Sequence, residues 1–250
     1  MKAQVLSLTG EIIREIDLPA QFGTAFRPDL IKKAVISLQS LRYQPHGTNP
    51  FAGITASAEG WGSGRGASHV PRLKNSSRAA KVPQAKGGRA AHPPKVQKVL
   101  IRSINKKEKR KALNSAIAAT ANDEIVRSRG HQFTGTVPFV LSDELERLNQ
   151  TREVIACLKA IGVYADIERS AQSRKVKPGR GKMRGRRYKQ RKSVLIVTGS
   201  QPLRAGRNLA GVDVCSIKSL NVEHLAPGTH ASRLTIWTES AITKLAERDL

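Results

Sequence analysis

Almost all of the excess positive charge lies in two segments of the chain. Residues 60–111 contain 15 lysines and arginines with one acidic residue, Glu108, and residues 169–192 contain 12 with no acidic residue. The whole chain has 44 basic and 19 acidic side chains, so the remainder has 17 against 18 and is close to neutral. Repulsion among that many like charges opposes compact folding in isolation. The sequence therefore predicts a near-neutral globular body with two basic attachments that need a polyanionic partner.

The first attachment begins before its charge does and covers residues 44–98. It contains six prolines and eight glycines, and it has neither helical nor alternating apolar periodicity. Fully extended, such a segment would span at most roughly 180 Å, which far exceeds the diameter of the body. The composition alone is typical of a disordered insertion. The density of glycine instead favours close approach of the backbone to a rigid surface, and we interpret the segment as a loop ordered by RNA.

The second attachment, residues 169–192, is richest in arginine and glycine between Lys177 and Lys189. Arginine forks bind phosphates through paired hydrogen bonds and stack on bases, while glycine lets the backbone follow an irregular surface. Tyr188 lies among these cations and is expected to stack on an unpaired base. A nuclear-localisation signal or an acidic-membrane patch is the competing interpretation. RNA is favoured over DNA because no helix-turn-helix, zinc-finger or basic-zipper pattern accompanies the run.

The remaining chain, residues 1–43 and 99–250, has the pattern of an α/β body. Four short apolar runs separated or followed by helical stretches predict a mainly parallel sheet of about four strands with helices on both faces. A hairpin that turns at Thr9-Gly10 is predicted in front of them. The predicted sheet strands are residues 138–141, 194–198, 212–217 and 234–237, and the hairpin strands are residues 3–8 and 11–18.

Helical periodicity occurs in four parts of the body. The predicted helices are residues 28–43, 105–121, 151–161 and 239–248. The first opens at Pro28-Asp29, and its spacing places on one face Leu30, Ala34, Leu38 and Leu41. The second is basic in its first half and small and apolar in its second half. One end of that helix is therefore expected to meet RNA while the other packs on the body.

No arrangement of residues predicts catalysis. The glycine-rich segment 62–66 lacks the preceding strand and following helix that a dinucleotide loop requires. Around Gly181-Lys182 the leading glycine and the Ser/Thr of a P-loop are missing. The segment Val197-Thr198-Gly199-Ser200 follows an apolar run and is the better candidate for a nucleotide site, although a strand that ends in a turn is the simpler explanation.

Metal and redox chemistry are not predicted either. The six histidines are widely spaced, and none has metal-ligand spacing to another. Cys157 and Cys215 lie in apolar surroundings and are interpreted as buried thiols of a reducing compartment. Asp143, Glu144 and Glu146 are interpreted as favourable charges at a helix start. No run of about 18 apolar residues occurs, so a membrane span is not expected and the predicted location is the cytosol.

Three stretches resemble a known protein family. Residues 59–66 (EGWGSGRG), running on to Val70-Pro71-Arg72, are similar to the loop signature of the universal ribosomal large-subunit protein number four. Residues 182–188 (KMRGRRY) with 192–197 (KSVLIV), and residues 208–214 (NLAGVDV), resemble its archaeal and eukaryotic branch. The resemblance covers essentially the whole chain. Eukaryotic members carry a long C-terminal extension that this sequence lacks, so the resemblance implies the archaeal type.

The resemblance implies a Rossmann-like α/β body on the outer face of the large subunit, with a long loop that threads through the large-subunit rRNA. The loop tip is then expected to help form the constriction of the peptide exit tunnel, and the protein to act early in subunit assembly. The implied partners are large-subunit rRNA, neighbouring large-subunit proteins and structural Mg²⁺ carried by the rRNA, with no cofactor, no metal site, no membrane and no self-association. The implied tip residues, with Trp61 and Arg65 nearest the tunnel wall, are Gly60, Trp61, Gly62, Ser63, Gly64, Arg65, Gly66, His69 and Arg72.

The resemblance also implies which residues bind rRNA, chiefly the cations of both attachments. In the loop and the helix that follows they are Arg65, Arg72, Lys74, Arg78, Lys81, Lys86, Arg89, His92, Lys95, Lys98, Lys106, Lys107 and Arg110. In the second attachment they are Arg174, Lys175, Lys177, Arg180, Lys182, Arg184, Arg186, Arg187, Tyr188, Lys189 and Arg191. The bacterial branch has a more basic tip, so its contacts with small molecules or nascent chains are not carried over.

Two other functions stay open. One is an RNA-modifying enzyme whose body holds a nucleotide near Thr198-Gly199. The other is a regulator that represses a messenger RNA by binding it. Neither explains a long loop without an apolar core as well as burial in a ribosome does.

Overall fold

The apolar runs of the body form one sheet in the computed structural model, which describes residues 1–200 and 202–247. In chain order the strands are β1 (Lys2–Leu6), β2 (Ile12–Asp17), β3 (Ala58–Glu59), β4 (Arg72–Leu73), β5 (Phe139–Leu141), β6 (Lys175–Val176), β7 (Tyr188–Lys189), β8 (Leu195–Thr198), β9 (Asp213–Ser216) and β10 (Thr235–Thr238). Within the described residues, six of them form the main sheet in the order β2-β1-β5-β10-β8-β9. Every neighbouring pair in it is parallel except β1 with β2.

The predicted count of about four strands is too low, because the hairpin belongs to the same sheet. The four predicted apolar runs form β5, β8, β9 and β10, as expected. Strand β1 pairs with β5, with Val5 opposite Val140 and Leu6 opposite Leu141. The hairpin turn needs Gly10, whose φ is 89° and whose Cβ, if it had one, would lie 2.9 Å from the carbonyl oxygen of Ala160. The mixed α/β class and the mainly parallel sheet are confirmed.

Seven α-helices occur among the described residues. They are α1 (Pro28–Ser40), α2 (Lys106–Thr120), α3 (Asp123–Ser128), α4 (Thr151–Ala160), α5 (Tyr164–Gln172), α6 (Val222–Leu225) and α7 (Glu239–Ala246). Helices α2 and α4 match their predicted ranges within one residue. Helix α1 ends three residues earlier than predicted, and Leu41, placed on its apolar face by the sequence, is 61% exposed. The predicted end of the last helix, Arg248, lies outside the described residues.

Apolar clusters cover both faces of the sheet. The alternation along β8 shows this directly, since Leu195 and Val197 belong to one cluster and Ile196 to the other. Helices α1, α2 and α7 contribute to the first cluster, and α4 and α5 contribute to the second. The fully buried Trp237 of β10 packs edge-on against Phe22, with ring centroids 5.4 Å apart. The predicted coverage of both faces is confirmed.

Residues 40–101 form a second compact unit, separate from the body unit of Met1–Gln39 and the chain from Arg102 onward. All of residues 40–101 are described, and Ala58 is their only buried apolar side chain. The pair β3–β4 places Ala58 opposite Leu73. Backbone packs on backbone instead: a Cβ on Gly88 would lie 1.9 Å from the carbonyl oxygen of Val82, and one on Gly53 would lie 2.5 Å from that of Gly88. Turns and close glycine contacts, not an apolar core, give this unit its shape.

Candidate nucleic-acid interface

The second basic segment forms a short antiparallel ribbon, β6–β7, which we call the basic hairpin (residues 174–191). Lys175 pairs with Lys189, and the backbone N–H of Lys177 donates to the carbonyl oxygen of Arg187 at 2.8 Å. Like charges directly opposite each other destabilise a strand pair. The ribbon therefore carries a repulsion that an external anion between the strands would relieve.

Two guanidinium groups lie over the ring of Tyr188. The central carbon of Arg174 is 4.3 Å from the ring centroid and that of Arg187 is 5.7 Å from it. Such cation–π contacts contribute about 0.5–1 kcal/mol each at exposed sites. They hold a ring that is still 47% exposed in a fixed setting among cations.

The cations of the basic hairpin have no acidic partners. Among the described residues, no carboxylate forms an ion pair with any lysine or arginine from Arg174 to Arg191. All the predicted side chains of this segment are exposed except Lys177, which is half-buried. Apart from the contacts of Arg174 and Arg187 with Tyr188, the positive charge is thus displayed to the surroundings and is not neutralised within the described chain.

The ends of the basic hairpin are anchored to one buried carboxylate, Asp166 of α5. It accepts hydrogen bonds from Nε of Arg169 at 2.9 Å, Oγ of Ser193 at 2.8 Å, Nδ1 of His131 at 3.0 Å and the backbone N–H of Gln132 at 3.1 Å. Arg169 precedes the hairpin and Ser193 follows it. Both ends of the ribbon are therefore fixed to the same point.

Opposing effects set the ionisation of this cluster. Burial opposes the charge of Asp166, but the hydrogen bonds from His131 and Ser193 outweigh it, so the pKa of the carboxyl lies below its ordinary value. Burial lowers the pKa of His131 despite the neighbouring Asp166. The imidazole is therefore neutral at pH 7, and its Nδ1–H donates to the carboxylate.

Helix α5 also holds the returning strand of the hairpin. Oγ of Ser170 donates to the carbonyl oxygen of Arg191 at 2.6 Å, and the backbone N–H of Arg191 donates to Oγ of Ser173 at 2.9 Å. The loop before β9 passes so close that a Cβ on Gly211 would lie 2.2 Å from Oγ of Ser170. The backbone of Arg191 is fixed, while its side chain stays exposed.

A fully buried arginine, Arg233, ties the strands together beneath the hairpin. Its Nη1 donates to Oδ2 of Asp213 at 2.6 Å, and its Nε donates to the carbonyl oxygen of Ser193 at 2.5 Å. Nη2 donates to the carbonyl oxygens of Val194 at 3.0 Å and Gly211 at 2.9 Å. The sequence prediction missed Arg233, for which the only local signal was a charged residue next to an apolar strand.

In the loop unit, the predicted tip is organised around Arg72. The guanidinium carbon of Arg72 lies 5.3 Å from the ring centroid of Trp61, and its nitrogens donate to the carbonyl oxygen of Ser77 at 2.5 Å and to Oγ of Ser68 at 3.0 Å. Trp61 remains 39% exposed. The glycines of the tip at positions 62, 64 and 66 all have positive φ with open space around them, so their backbone conformation, not crowding, requires glycine.

The other predicted loop cations divide into two groups. Two bind their own backbone: Nη2 of Arg78 donates to the carbonyl oxygen of Lys86 at 3.1 Å, and Nζ of Lys81 donates to that of Ala58 at 3.0 Å. The others are exposed side chains, together with both predicted histidines; they are Arg65, His69, Lys74, Lys86, Arg89, His92, Lys95 and Lys98. In α2 the predicted residues Lys106, Lys107 and Arg110 are exposed on its first half, while its second half is buried.

The candidate nucleotide segment is occupied by a side chain of the protein itself. Oε1 of Glu146 accepts hydrogen bonds from the backbone N–H of Gly199 at 2.6 Å, Oγ1 of Thr238 at 2.8 Å and Oγ of Ser240 at 3.0 Å, and its Oε2 accepts one from Oγ of Ser200 at 3.1 Å. These donors surround the carboxyl ends of β8 and β10, where parallel sheets usually bind ligands. The donors that would bind a phosphate already bind this carboxylate.

The acidic residues before α4 lie at a helix start, in the first turn of the 3₁₀ helix Asp143–Arg147, where the sequence placed them. Two of them also have partners elsewhere. Oδ1 of Asp143 accepts a hydrogen bond from the backbone N–H of Ser240 at 2.8 Å, at the start of α7. Asp143 and Glu146 thus also stabilise neighbouring elements across the sheet edge.

No group of three or more potential metal-ligating side chains comes together among residues 1–200 and 202–247. Cys157 and Cys215 are buried and unpaired, as predicted, and burial raises the pKa of their thiols to about 11 and about 12. None of the described helices has the length and apolar character needed to cross a membrane.

Comparison with known proteins gives full-length matches. A model of the ribosomal protein L4/L1 family matches residues 16–248. The chain is 73% identical to the large ribosomal subunit protein uL4 of Methanospirillum hungatei over 98% of both chains. It is 67% identical to that of Methanoculleus marisnigri and 55% identical to that of Archaeoglobus fulgidus, in each case over 99% of both chains.

Proposed function

We infer the function of this chain from the premise that it belongs to the ribosomal protein L4/L1 family, and in particular to its archaeal members. Its relatives carry the name of a large-subunit ribosomal protein. The chain is accordingly a structural, non-enzymatic constituent of the large ribosomal subunit in the cytoplasm. The finer parts of its role, namely RNA contacts, assembly and the exit tunnel, are proposals.

The large-subunit rRNA is the partner that the basic segments bind. The observation that carries this proposal is the absence of any carboxylate partner, among the described residues, for the cations of the basic hairpin. Phosphates would supply the missing counter-charge, and arginine forks match their geometry. Neighbouring large-subunit proteins and rRNA-bound Mg²⁺ complete the proposed setting, in which the chain acts as a single copy.

The loop tip, residues 60–72, is proposed to line the peptide exit tunnel, and the chain is proposed to act early in subunit assembly. The tip is held by its own contacts through Arg72, which fix Trp61, and the side chain of Arg65 is exposed beside it in the chain. The loop unit has no apolar core, so surrounding rRNA would stabilise it. We also propose that residues 44–98 are the loop inserted in the body and that the body has a Rossmann-like fold.

A salt titration tests the RNA proposal. If a third of the 27 basic residues in the two segments engage, about nine phosphates are neutralised, and the affinity falls about 10³–10⁵-fold between 50 and 200 mM salt.

We expect deletion of residues 46–97 to leave the body folded by circular dichroism and to weaken binding to large-subunit rRNA. A truncated chain that binds as tightly as the intact one would contradict the loop assignment.

A charge-matched variant separates loop charge from loop backbone. The variant replaces five exposed loop cations by glutamine and leaves unchanged the three that form hydrogen bonds within the loop, Arg72, Arg78 and Lys81. The replaced residues are Arg65, Lys74, Lys86, Arg89 and Lys95. The control variant replaces five exposed cations of the body by glutamine, namely Lys32, Arg152, Lys159, Arg204 and Arg207. Weakening by the loop set alone supports the proposal, and equal weakening by both sets would show only non-specific attraction.

The nucleotide-dependent enzyme is not proposed. The carboxylate of Glu146 occupies the donors of Thr198-Gly199-Ser200 that such an enzyme would use. The messenger-RNA regulator has no observation that favours it over the ribosomal role.

A further inference from the structure

A second basic site lies on the body, beside the anchored ends of the basic hairpin. Two cavities of about 590 and 430 Å³ open there, and they adjoin because both are lined by Arg169 and Arg191. Lys175 and Lys189 also line the larger cavity. Arg129 and Lys192 also line the smaller one. Both volumes lie in the range of ligand pockets, about 300–1,000 Å³, and no aspartate or glutamate of the described chain lines either cavity.

The carboxylates behind this surface do not balance its charge. Asp166 pairs with Arg169, and Asp213 pairs with Lys192 at 2.8 Å and with the buried Arg233. Arg129 and Arg191 remain without a carboxylate partner among the described residues. The surface therefore keeps an excess of positive charge after the internal pairs are formed.

Arg129 is held facing this surface by neutral groups only. Its Nη1 donates to the carbonyl oxygens of His230 and Ala231, and its Nη2 donates to that of Pro227 at 2.9 Å. Burial, followed by repulsion from Arg233 and Arg169, lowers the pKa of Arg129 to about 10. Holding a cation in this way costs stability, and strongly perturbed cations of this kind gather at functional sites.

Arg191 supplies the free guanidinium in the wall that the cavities share. Its backbone is fixed on both sides by Ser170 and Ser173, whereas its side chain makes no hydrogen bond or ion pair with the described residues. A fixed backbone lowers the entropy lost when the side chain orders on an anion.

The lining also indicates which anion fits. Arginine forks select phosphate or carboxylate oxygens. No phenylalanine, tyrosine or tryptophan of the described chain lines either cavity, and the one imidazole in the lining, His131, is buried and hydrogen-bonded to Asp166, so a base would find no exposed ring to stack on. The chemistry suits a sugar–phosphate backbone, whose contacts position a protein without reading sequence.

We propose that the two cavities form one cleft that binds consecutive backbone phosphates of an RNA strand through Arg129, Arg169, Arg191 and Lys192. The proposal rests on the RNA-binding function above but names a separate site. Arg169, Arg191 and Lys192 belong to the predicted second attachment, and Arg191 was predicted individually as an rRNA contact. Arg129 was not predicted from the sequence. The cleft sets the register of the body on the RNA, while the basic hairpin reaches further along it.

Uridine 3′,5′-bisphosphate and inorganic phosphate are the probes for this cleft, used with the full-length chain. Binding is followed by calorimetry and by the side-chain Nε–Hε NMR signals of its arginines. We expect saturable binding of the bisphosphate with shifts of the Arg129, Arg169 and Arg191 signals, and weaker binding of inorganic phosphate because it engages one position. Equal affinity for the two probes, or shifts spread evenly over the hairpin arginines, would overturn the two-phosphate cleft.

Matched variants localise the effect. Replacing Arg191 by glutamine removes a charge-assisted hydrogen-bond donor, so we expect at least about tenfold weaker bisphosphate binding. Arg152→Gln removes the same charge from an exposed position on α4, outside both basic attachments, and its binding should be unchanged. Equal weakening by both variants would overturn the proposal. Neither side chain has a carboxylate partner within the described chain, and unchanged thermal unfolding will confirm that both variants are folded.

Binding to large-subunit rRNA, measured on the same preparations, separates this proposal from the proposed function. If the wild-type chain binds rRNA but does not bind the bisphosphate, the cleft proposal is overturned and the proposed function stands. A working cleft in a chain that does not bind rRNA would overturn the proposed function and leave the cleft in place.

Discussion

Arginine has opposite roles in two adjoining regions, the body and the basic hairpin. In the body, Arg233 is fully buried and satisfied by Asp213 and three backbone carbonyls, with a fourth at 3.3 Å. In the hairpin, the arginines at 180, 184 and 186 are exposed and have no carboxylate partner among the described residues. The difference shows that the fold depends on a buried arginine whose hydrogen-bond acceptors are all supplied from within, whereas charge placed on the ribbon depends on a partner from outside.

Replacing Arg233 by methionine should have the largest effect on folding. The change leaves Asp213 and several buried carbonyls without their donor, so we expect a loss of about 3–5 kcal/mol in the free energy of unfolding. Urea denaturation of the intact chain measures it. Arg191→Met is the control and should stay within about 0.5 kcal/mol. Equal losses for the two variants would remove the distinction between the regions.

Replacing Asp166 by asparagine should cost about 2–3 kcal/mol at pH 7, because the charged hydrogen bonds from Arg169 and Ser193 are lost. The pKa of this carboxyl lies below its ordinary 3.8 in the folded chain. Its stabilisation is therefore complete above pH 3.8 and disappears as the pH falls through the folded-state pKa. Denaturation at several pH values should show the gap between wild type and variant closing on acidification.

Replacing Asp166 by asparagine should also loosen the basic hairpin, since Arg169 and Ser193, which flank it on either side, both bind Asp166. Limited proteolysis should then cut residues 174–191 faster than in the wild type. Glu168→Gln, an exposed neighbour on α5, is the matched control and should change neither readout. Unchanged proteolysis in the Asp166 variant would show that the strand contacts of Ser170 and Ser173 suffice.

Replacing Glu146 by glutamine should cost about 1 kcal/mol, because a neutral amide still accepts hydrogen bonds but less strongly. Chemical denaturation measures the loss, and Glu144→Gln, which is exposed, should show none. Tight nucleotide binding by the Glu146 variant would indicate that the carboxylate had displaced a ligand.

Neutralising Arg184, Arg186 and Arg187 together should have the smallest effect on folding, below about 0.5 kcal/mol. The effect on RNA should be clear instead: the slope of log affinity against log salt should fall by about 2–3, close to one for each phosphate that is no longer neutralised. Filter binding to large-subunit rRNA over a salt series measures it. A stability loss comparable to that of Arg233→Met would contradict the external role of this charge.

The sequence predicts the individual strands and helices better than it predicts which of them pair with each other. Runs such as 194–198 formed strands because continuous apolar residues have few alternatives to burial. The pairing of β1 with β5 was missed since the two strands are more than 130 residues apart and no local pattern encodes their pairing. Arg233 and Asp166 were missed for a similar reason: Asp213 lies 20 residues from Arg233, and of the partners of Asp166 only Arg169 is local, while His131 lies 35 residues away.

The predicted RNA-binding cations of the loop differ in how free their side chains are. The resemblance implies that Arg72, Arg78 and Lys81 bind rRNA, and the structure shows that each of them is also hydrogen-bonded within its own loop. Composition shows how much charge a segment carries, but it does not show which of its side chains already form hydrogen bonds within the segment. Whether these three also touch RNA stays a prediction.

Glu146 has a consequence for how the protein responds to its cell. A ligand that binds only the native state adds to its stability in proportion to the logarithm of ligand concentration. Here the sheet edge is filled by a tethered carboxylate, whose local concentration is fixed by the chain and does not follow metabolism. The stability that this contact gives the body therefore does not rise and fall with the concentration of a small molecule in the cell.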